Sequence, residues 1–313
     1  MRALVLGGGG SRGAWQAGVL FALGCSSLFQ EGFPYVIGNS VGTINGAGVA
    51  MFSPHQFKEA TEYVASMWDQ HIQDTSDVWK LRQPLGIPGL WNPSVGKNDA
   101  LVKLLGELVD IDAIQKSGTE VRFTAVDMET AEVRYYTGHD LVTLGIKPIL
   151  ASSSYPLAFP PVEIGSDWLS DGGLRETAPI GEAIAAGADE IVVIACQNPG
   201  ESSYLPRKKM QNSVTFGLRC VRIMMHETIH SDVKMARLYN QLGQLRSTLA
   251  EHGVDPDTAD KIVKAMNADK KVVKLTVIHP EKPLGDALDF SGEEMQLRFE
   301  QGVRDGRAAL AEL

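Results

Sequence analysis

The 313-residue sequence predicts an α/β fold, a mostly parallel central sheet flanked by helices. Three observations lead there. The first fifty residues read strand, helix, strand, helix. Short apolar runs alternate with helical spacing along the rest of the chain. Glycine-rich turns stand where strands end and helices begin. A strand joined to the next strand through a helix implies a parallel pair with a right-handed crossover.

Taken in order, residues 2–6 (Arg-Ala-Leu-Val-Leu) form an apolar run suited to a strand buried on both faces. Residues 7–13 hold five glycines and predict a loop. Residues 14–30 carry Trp15, Val19, Ala22 and Leu23 at helical spacing. Residues 35–37 are a second strand, and Gly38-Asn39-Ser40-Val41-Gly42 turns into a small-residue helix ending near residue 51. Residues 54–118 read as a cap-like helical insertion, interrupted by Pro84, Pro88 and Pro93 and carrying Trp68, Trp79 and Trp91. Residues 120–126 and 132–137 alternate and predict a hairpin pair, 140–151 a short helix, and 162–170 short strands that run into Asp171-Gly172-Gly173. A helix over 179–186 precedes a buried strand over 191–195. A long amphipathic helix over 209–249 and another over 256–268 make a second helical segment, about 209–268. A strand over 271–278 and a helix over 291–311 follow. No linker, repeat or low-complexity tract divides the chain, so 1–313 is expected to form one domain with helical insertions.

Composition narrows the function. The chain is 44% hydrophobic and 21% charged, an ordinary globular balance. Its 29 basic and 38 acidic residues leave a net charge of −9, which argues against nucleic acid as a partner. Cys25, Cys196 and Cys220 follow no pairing or metal spacing and suggest reduced thiols. No apolar run is long enough for a membrane span, and Gly7–Arg12 interrupts the apolar N-terminal stretch as no signal peptide allows. The expected location is cytoplasmic, with any membrane contact peripheral and transient.

Four motifs compete to carry chemistry. Gly38-x-Ser40-x-Gly42 stands between a strand and a helix. A serine hydroxyl needs exposure at a sharp turn to act as a nucleophile, and flanking glycines permit that turn. The loop Gly8-x-Gly10-x-x-Gly13 fits a dinucleotide fingerprint formally, but no acid ends the second strand. Its other reading is an oxyanion hole, because the carboxyl ends of neighbouring parallel strands lie side by side and would set glycine N–H groups beside Ser40. Asp171-Gly172-Gly173 offers a carboxylate in a tight turn, or a plain Asp-Gly turn. His226-Glu227-Thr228-Ile229-His230 matches a zinc-peptidase helix, with Glu251 a conceivable third ligand; its plain reading is two histidines on a polar helix face.

Gly8-Gly9-Gly10-Ser11-Arg12-Gly13, Gly38-Asn39-Ser40-Val41-Gly42 and Asp171-Gly172-Gly173 together resemble the three signatures of the patatin-like phospholipases. Residues 151–161, Ala-Ser-Ser-Ser-Tyr-Pro-Leu-Ala-Phe-Pro-Pro, resemble the family's segment before the Asp-Gly pair. The resemblance implies a three-layer patatin-like sandwich and a Ser–Asp dyad. Ser40 would attack an acyl ester, Asp171 would take its proton, and Gly8, Gly9, Gly10, Ser11 and Arg12 would hold the oxyanion. Gly13, Gly38, Gly42, Gly172 and Gly173 would support the turns. It further implies lipid or fatty-acyl ester substrates and catalysis without metal or cofactor. Thr177 stands where the family often has Asn. A triad of Ser40, Asp171 and His279, and a nucleotide- or lipid-binding protein without hydrolysis, are the alternatives. Residues 84–91 suggest a lid or membrane-docking loop, or a packed cap loop, and Arg207-Lys208-Lys209 a contact for anionic headgroups. The chemistry predicts activity that falls as Asp171 is protonated, without an imidazole titration near pH 6–7.

Overall fold

A computed structural model describes residues 1–82, 92–198, 205–266 and 272–313. The elements follow as β1 (Arg2–Leu6), α1 (Gly13–Gly24), β2 (Tyr35–Asn39), α2 (Val41–Ala50), α3 (Phe57–His71), β3 (Lys80–Leu81), β4 (Gly96–Lys97), α4 (Asp99–Leu108) and α5 (Ile111–Ser117). Then come β5 (Glu120–Asp127), β6 (Val133–Thr137), α6 (Asp140–Leu144), α7 (Lys147–Ser152), β7 (Val162–Ile164), β8 (Asp167–Asp171) and α8 (Ile180–Ala185). The chain continues through β9 (Glu190–Ile194), α9 (Ser213–Gly243), α10 (Leu245–Glu251), α11 (Pro256–Ala265), β10 (Lys274–Ile278) and α12 (Gly292–Ala311).

The central sheet runs in the order β10-β9-β1-β2-β5-β8-β7, with β6 paired to β5. The strands β10, β9, β1, β2 and β5 are parallel, whereas β6 and β8 run antiparallel to β5 and β7 antiparallel to β8. The sheet is therefore mostly parallel, as the sequence predicts. Alternation along the strands divides the core into two layers. Leu4, Leu6 and Val36 pack with α1 and α3 through Leu20, Leu23 and Val64. Ala3, Val5, Ile37 and Val193 pack on the other face with Ala183 of α8 and Ile229 and Val233 of α9.

Small residues set how closely helices approach. α1 and α12 cross so tightly that a Cβ on Gly18 would lie 2.1 Å from Phe299 O, and one on Gly302 would lie 2.0 Å from Trp15 O. Trp15 Nε1 donates to Asp305 Oδ2 across the same crossing at 2.8 Å.

Several boundaries differ from the sequence reading, each for a local reason. The helix expected over 140–151 is two helices, because Gly145 turns with φ +61 between them. The helix expected over 209–249 divides at Gln244 into α9 and α10. β2 extends to Asn39, which brings an asparagine side chain directly before Ser40. The segment 54–118 contributes α3, which packs on α1 and α2 and sends Trp68 Nε1 to Asn45 Oδ1 at 2.8 Å. Residues 84–91, the expected lid, lie outside the described residues.

Candidate active site

The register of β5 brings the two candidate residues together. β6 occupies one edge of β5, and the other edge holds β2 and β8 end to end. Asn39 of β2 pairs with Thr124, and Asp171 of β8 pairs with the next residue, Ala125. Ser40, directly after Asn39, caps α2 with φ 54 and ψ −127. That left-handed backbone costs of the order of 1–3 kcal/mol in a residue with a Cβ. It holds because the turn is closed by contacts that exclude side chains. A Cβ on Gly38 would lie 2.3 Å from Gly42 O, and one on Gly42 would lie 2.1 Å from Leu6 O.

The serines of the segment before the Asp-Gly pair fasten this turn. Ser40 N donates to Ser152 Oγ at 3.0 Å, and Ser153 Oγ donates to Ser40 O at 3.3 Å. Ser154 O accepts from Asp171 N at 3.1 Å. One short run thus ties both candidate residues to α7. The sequence marks that segment by resemblance without giving these three serines a task.

Asp171 is fully buried. Its Oδ1 accepts from Gly173 N at 2.8 Å and from Asn39 Nδ2 at 3.3 Å. Its Oδ2 is buried and makes no hydrogen bond of full geometric quality, although the Ser40 hydroxyl is close enough to favour the carboxylate. Burial pushes the carboxyl up to about 6, against the pull of Ser40, Gly173 N–H and Asn39. Protonation of Asp171 therefore falls in the range of an imidazole, so a titration near pH 6 does not separate the two as the sequence reading supposed. Asn39 is itself held by Thr124 Oγ1, which donates to its Oδ1 at 2.8 Å. Asn39 and Thr124 were not singled out from sequence. Asn39 lies inside the Gly-x-Ser-x-Gly motif, whereas Thr124 carries no local signal.

The glycine loop lies against the serine: a Cβ on Gly8 would stand 3.0 Å from Ser40 Cβ. The loop's N–H groups are not all free. Gly8 N donates to Thr177 O at 3.1 Å, Ser11 N to Ala287 O at 2.8 Å and Arg12 N to Gly9 O at 3.3 Å. Among the described residues no acceptor takes the N–H groups of Gly9 and Gly10. The five-residue candidate hole thus reduces to two available backbone donors. Ser11 and Arg12 are anchors instead. Ser11 Oγ donates to Asp286 O at 3.0 Å, and Arg12 donates to Gln197 Oε1 at 3.1 Å and to Gly285 O at 2.8 Å. Gln16, Asn45 and Trp68 form a buried amide network beneath the loop, with Gln16 Nε2 donating to Gly7 O at 3.1 Å.

Thr177 takes over a fastening role in the Asp loop. Its Oγ1 donates to Met225 O of α9 at 2.9 Å while its carbonyl receives Gly8 N–H. Beside Ser40 opens a slender apolar cavity between α2, α3 and α4, lined by Ile44, Met67, Trp68, Leu101, Leu104 and Leu105 among others. A small mouth over Ser40 is lined by Gly8–Gly10, Tyr155, Arg222 and Met225.

The remaining candidates do not join the site. His279 follows β10, which β9 and β1 separate from β2. It lines neither cavity that reaches Ser40. His226 and His230 lie on α9, and among the described residues no group of three or more His, Cys, Asp or Glu converges that could hold a metal ion.

A family model described as patatin-like phospholipase matches residues 4–184, which hold all three glycine motifs. Among solved structures the chain is similar to VipD from Legionella pneumophila, with a TM-score of 0.42 and 12% identity, over 99% of this chain and 67% of that one. No curated protein matched.

Proposed function

The chain belongs to the patatin-like phospholipase family, a family of lipid acyl hydrolases, and from that premise we propose that Ser40 and Asp171 act as its catalytic dyad. Ser40 Oγ attacks the carbonyl carbon of an acyl ester while its proton passes to Asp171 Oδ2. The carbonyl oxygen becomes an oxyanion held by the N–H groups of Gly9 and Gly10, aided by the positive end of α2. Asp171 returns the proton to the departing alcohol, which leaves an acyl ester on Ser40. Water, deprotonated by Asp171, then releases the fatty acid and restores the serine. The acyl chain runs into the apolar cavity. The whole of 1–313 serves as one catalytic domain, and the reaction is of phospholipase A type. Contact with lipid is made at a surface; among the described residues no helix is long and apolar enough to cross a membrane.

The observation that carries this reading is the buried carboxylate oxygen, Asp171 Oδ2, left open toward a serine held at a strained turn. No imidazole lines either cavity that reaches that serine. The test is hydrolysis of p-nitrophenyl butyrate and of mixed phospholipids by wild type, Ser40→Ala, Asp171→Asn and His279→Ala, with and without EDTA. The dyad predicts that the first two variants fold but fall by about a thousandfold or more, while His279→Ala and EDTA leave turnover intact. Full activity in Ser40→Ala, or loss in His279→Ala, refutes it.

A further inference from the structure

Ser40 lines an apolar cavity, and its mouth adjoins a second cavity bordered by basic side chains. The mouth over Ser40 shares Gly10, Tyr155 and Ala287 with the apolar cavity. It shares Arg12, Gln197 and Arg222 with a further cavity of about 430 Å3. The apolar cavity and this further one have no lining residue in common.

The further cavity is cationic. Arg12, Lys209, Arg222, His226 and Lys282 line it against a single described carboxylate, Asp286. Among the described residues neither Arg12 nor Arg222 forms an ion pair. Both instead donate to one neutral acceptor, Gly285 O, at 2.8 and 3.2 Å. The Nε atoms of both arginines are buried without a partner. Burial strips Arg12 of its hydration, and the second guanidinium converging on the same carbonyl adds repulsion. Together these hold Arg12 down at about 10, although Asp286 acts in the opposite direction. A buried cation such as Arg12 is ordinarily paired. In a chain of net charge −9, buried Arg12 and half-buried Arg222 thus border this cavity with neutral hydrogen-bond partners and, among the described residues, no carboxylate at ion-pair distance. The missing partner is an anion, and two arginines match a phosphate's oxygens in geometry as well as charge. The cavity's described lining includes no Phe, Tyr or Trp, so no aromatic cage for a quaternary ammonium is formed among the described residues.

We infer that this cavity binds a phosphate group and, resting on the hydrolase reading of Ser40 and Asp171, that it selects lipids with an anionic headgroup over zwitterionic ones. Arg222 is the specificity residue. It stands on α9, beyond the residues 4–184 that the family model matches, so the preference comes from this chain's C-terminal part.

The test uses monomeric lipids, so that attraction to a charged surface plays no part. Dibutanoyl phosphatidic acid and dibutanoyl phosphatidylcholine are compared with p-nitrophenyl butyrate as the neutral reference. Wild type is expected to favour the phosphatidic acid over the phosphatidylcholine in kcat/KM by about tenfold. In Arg222→Gln that ratio falls toward one, Lys282→Gln lowers it less, and Arg222→Lys restores part of it. Inorganic phosphate is titrated calorimetrically into Ser40→Ala, with and without Arg222→Gln. A wild-type ratio near one, alongside Arg222-dependent phosphate binding, assigns the site to free phosphate and overturns the headgroup preference. A ratio near one with no phosphate binding overturns the site altogether. If p-nitrophenyl butyrate is not turned over through Ser40, the hydrolase reading fails, and the phosphate titration still decides the cavity.

Discussion

Replacing Asp171 with asparagine separates the cost of the candidate base from its use. A carboxyl that titrates at about 6 when folded, against an ordinary 3.8, is disfavoured as a carboxylate in the native state. The gap of roughly two pH units, at about 1.4 kcal/mol per unit, amounts to about 3 kcal/mol of lost stability once the group is ionised in both states. The sign follows from proton counts. Between pH 4 and 6 the folded chain still holds a proton that the unfolded chain has released, so this site's contribution falls as pH rises. Asparagine has no such titration. It keeps an oxygen for the N–H of Gly173 and for Asn39 Nδ2, which now bind Oδ1. The stability of Asp171→Asn relative to wild type should therefore grow by about 2 kcal/mol between pH 4 and pH 7, with activity lost throughout. Urea denaturation of both proteins at unit steps of pH measures the difference, and the other titrating groups cancel in it. A difference that stays constant over that range refutes the burial argument. A difference that shrinks would mean that Asp171 is ionised more readily in the fold than outside it.

Three further outcomes follow from the same geometry. Asn39→Ala removes a hydrogen bond that favours the Asp171 carboxylate, so the acid limb of the kcat/KM profile should move to higher pH, and an unmoved limb would show that Asn39 only packs. Gly10→Ala puts a Cβ 2.2 Å from Ala287 O at a backbone φ of +59, which should cost about 2 kcal/mol or more in denaturation and remove the oxyanion donors. Leu104→Trp fills the apolar cavity, so turnover of hexadecanoyl esters should fall about tenfold relative to butanoyl esters; an unchanged ratio would place the acyl chain elsewhere.

Residue type and spacing are enough to specify the parallel core and the turns. Apolar runs such as residues 2–6 and 191–195, short and closed by turn residues, suit strands buried on both faces, and the glycines at 38 and 42 mark where chain approaches chain too closely for a Cβ. These are local properties, carried by residue type and spacing. Ser40 and Asp171 could be named as candidates because the glycine motifs that hold them, taken together, resemble the family's signatures. What only the tertiary structure decided depends on partners far apart in the chain. The pairing of β8 end to end with β2 along β5 sets Asp171 beside Asn39, 132 residues away. Hydrogen bonds from Gly8, Ser11 and Arg12 to Thr177, Ala287 and Gly9 leave only two of the expected oxyanion donors available. The pKa of Asp171 is raised by burial, which no dipeptide encodes. The two arginines that share Gly285 O stand 210 residues apart and meet only because α9 and the loop before α12 close over the glycine loop.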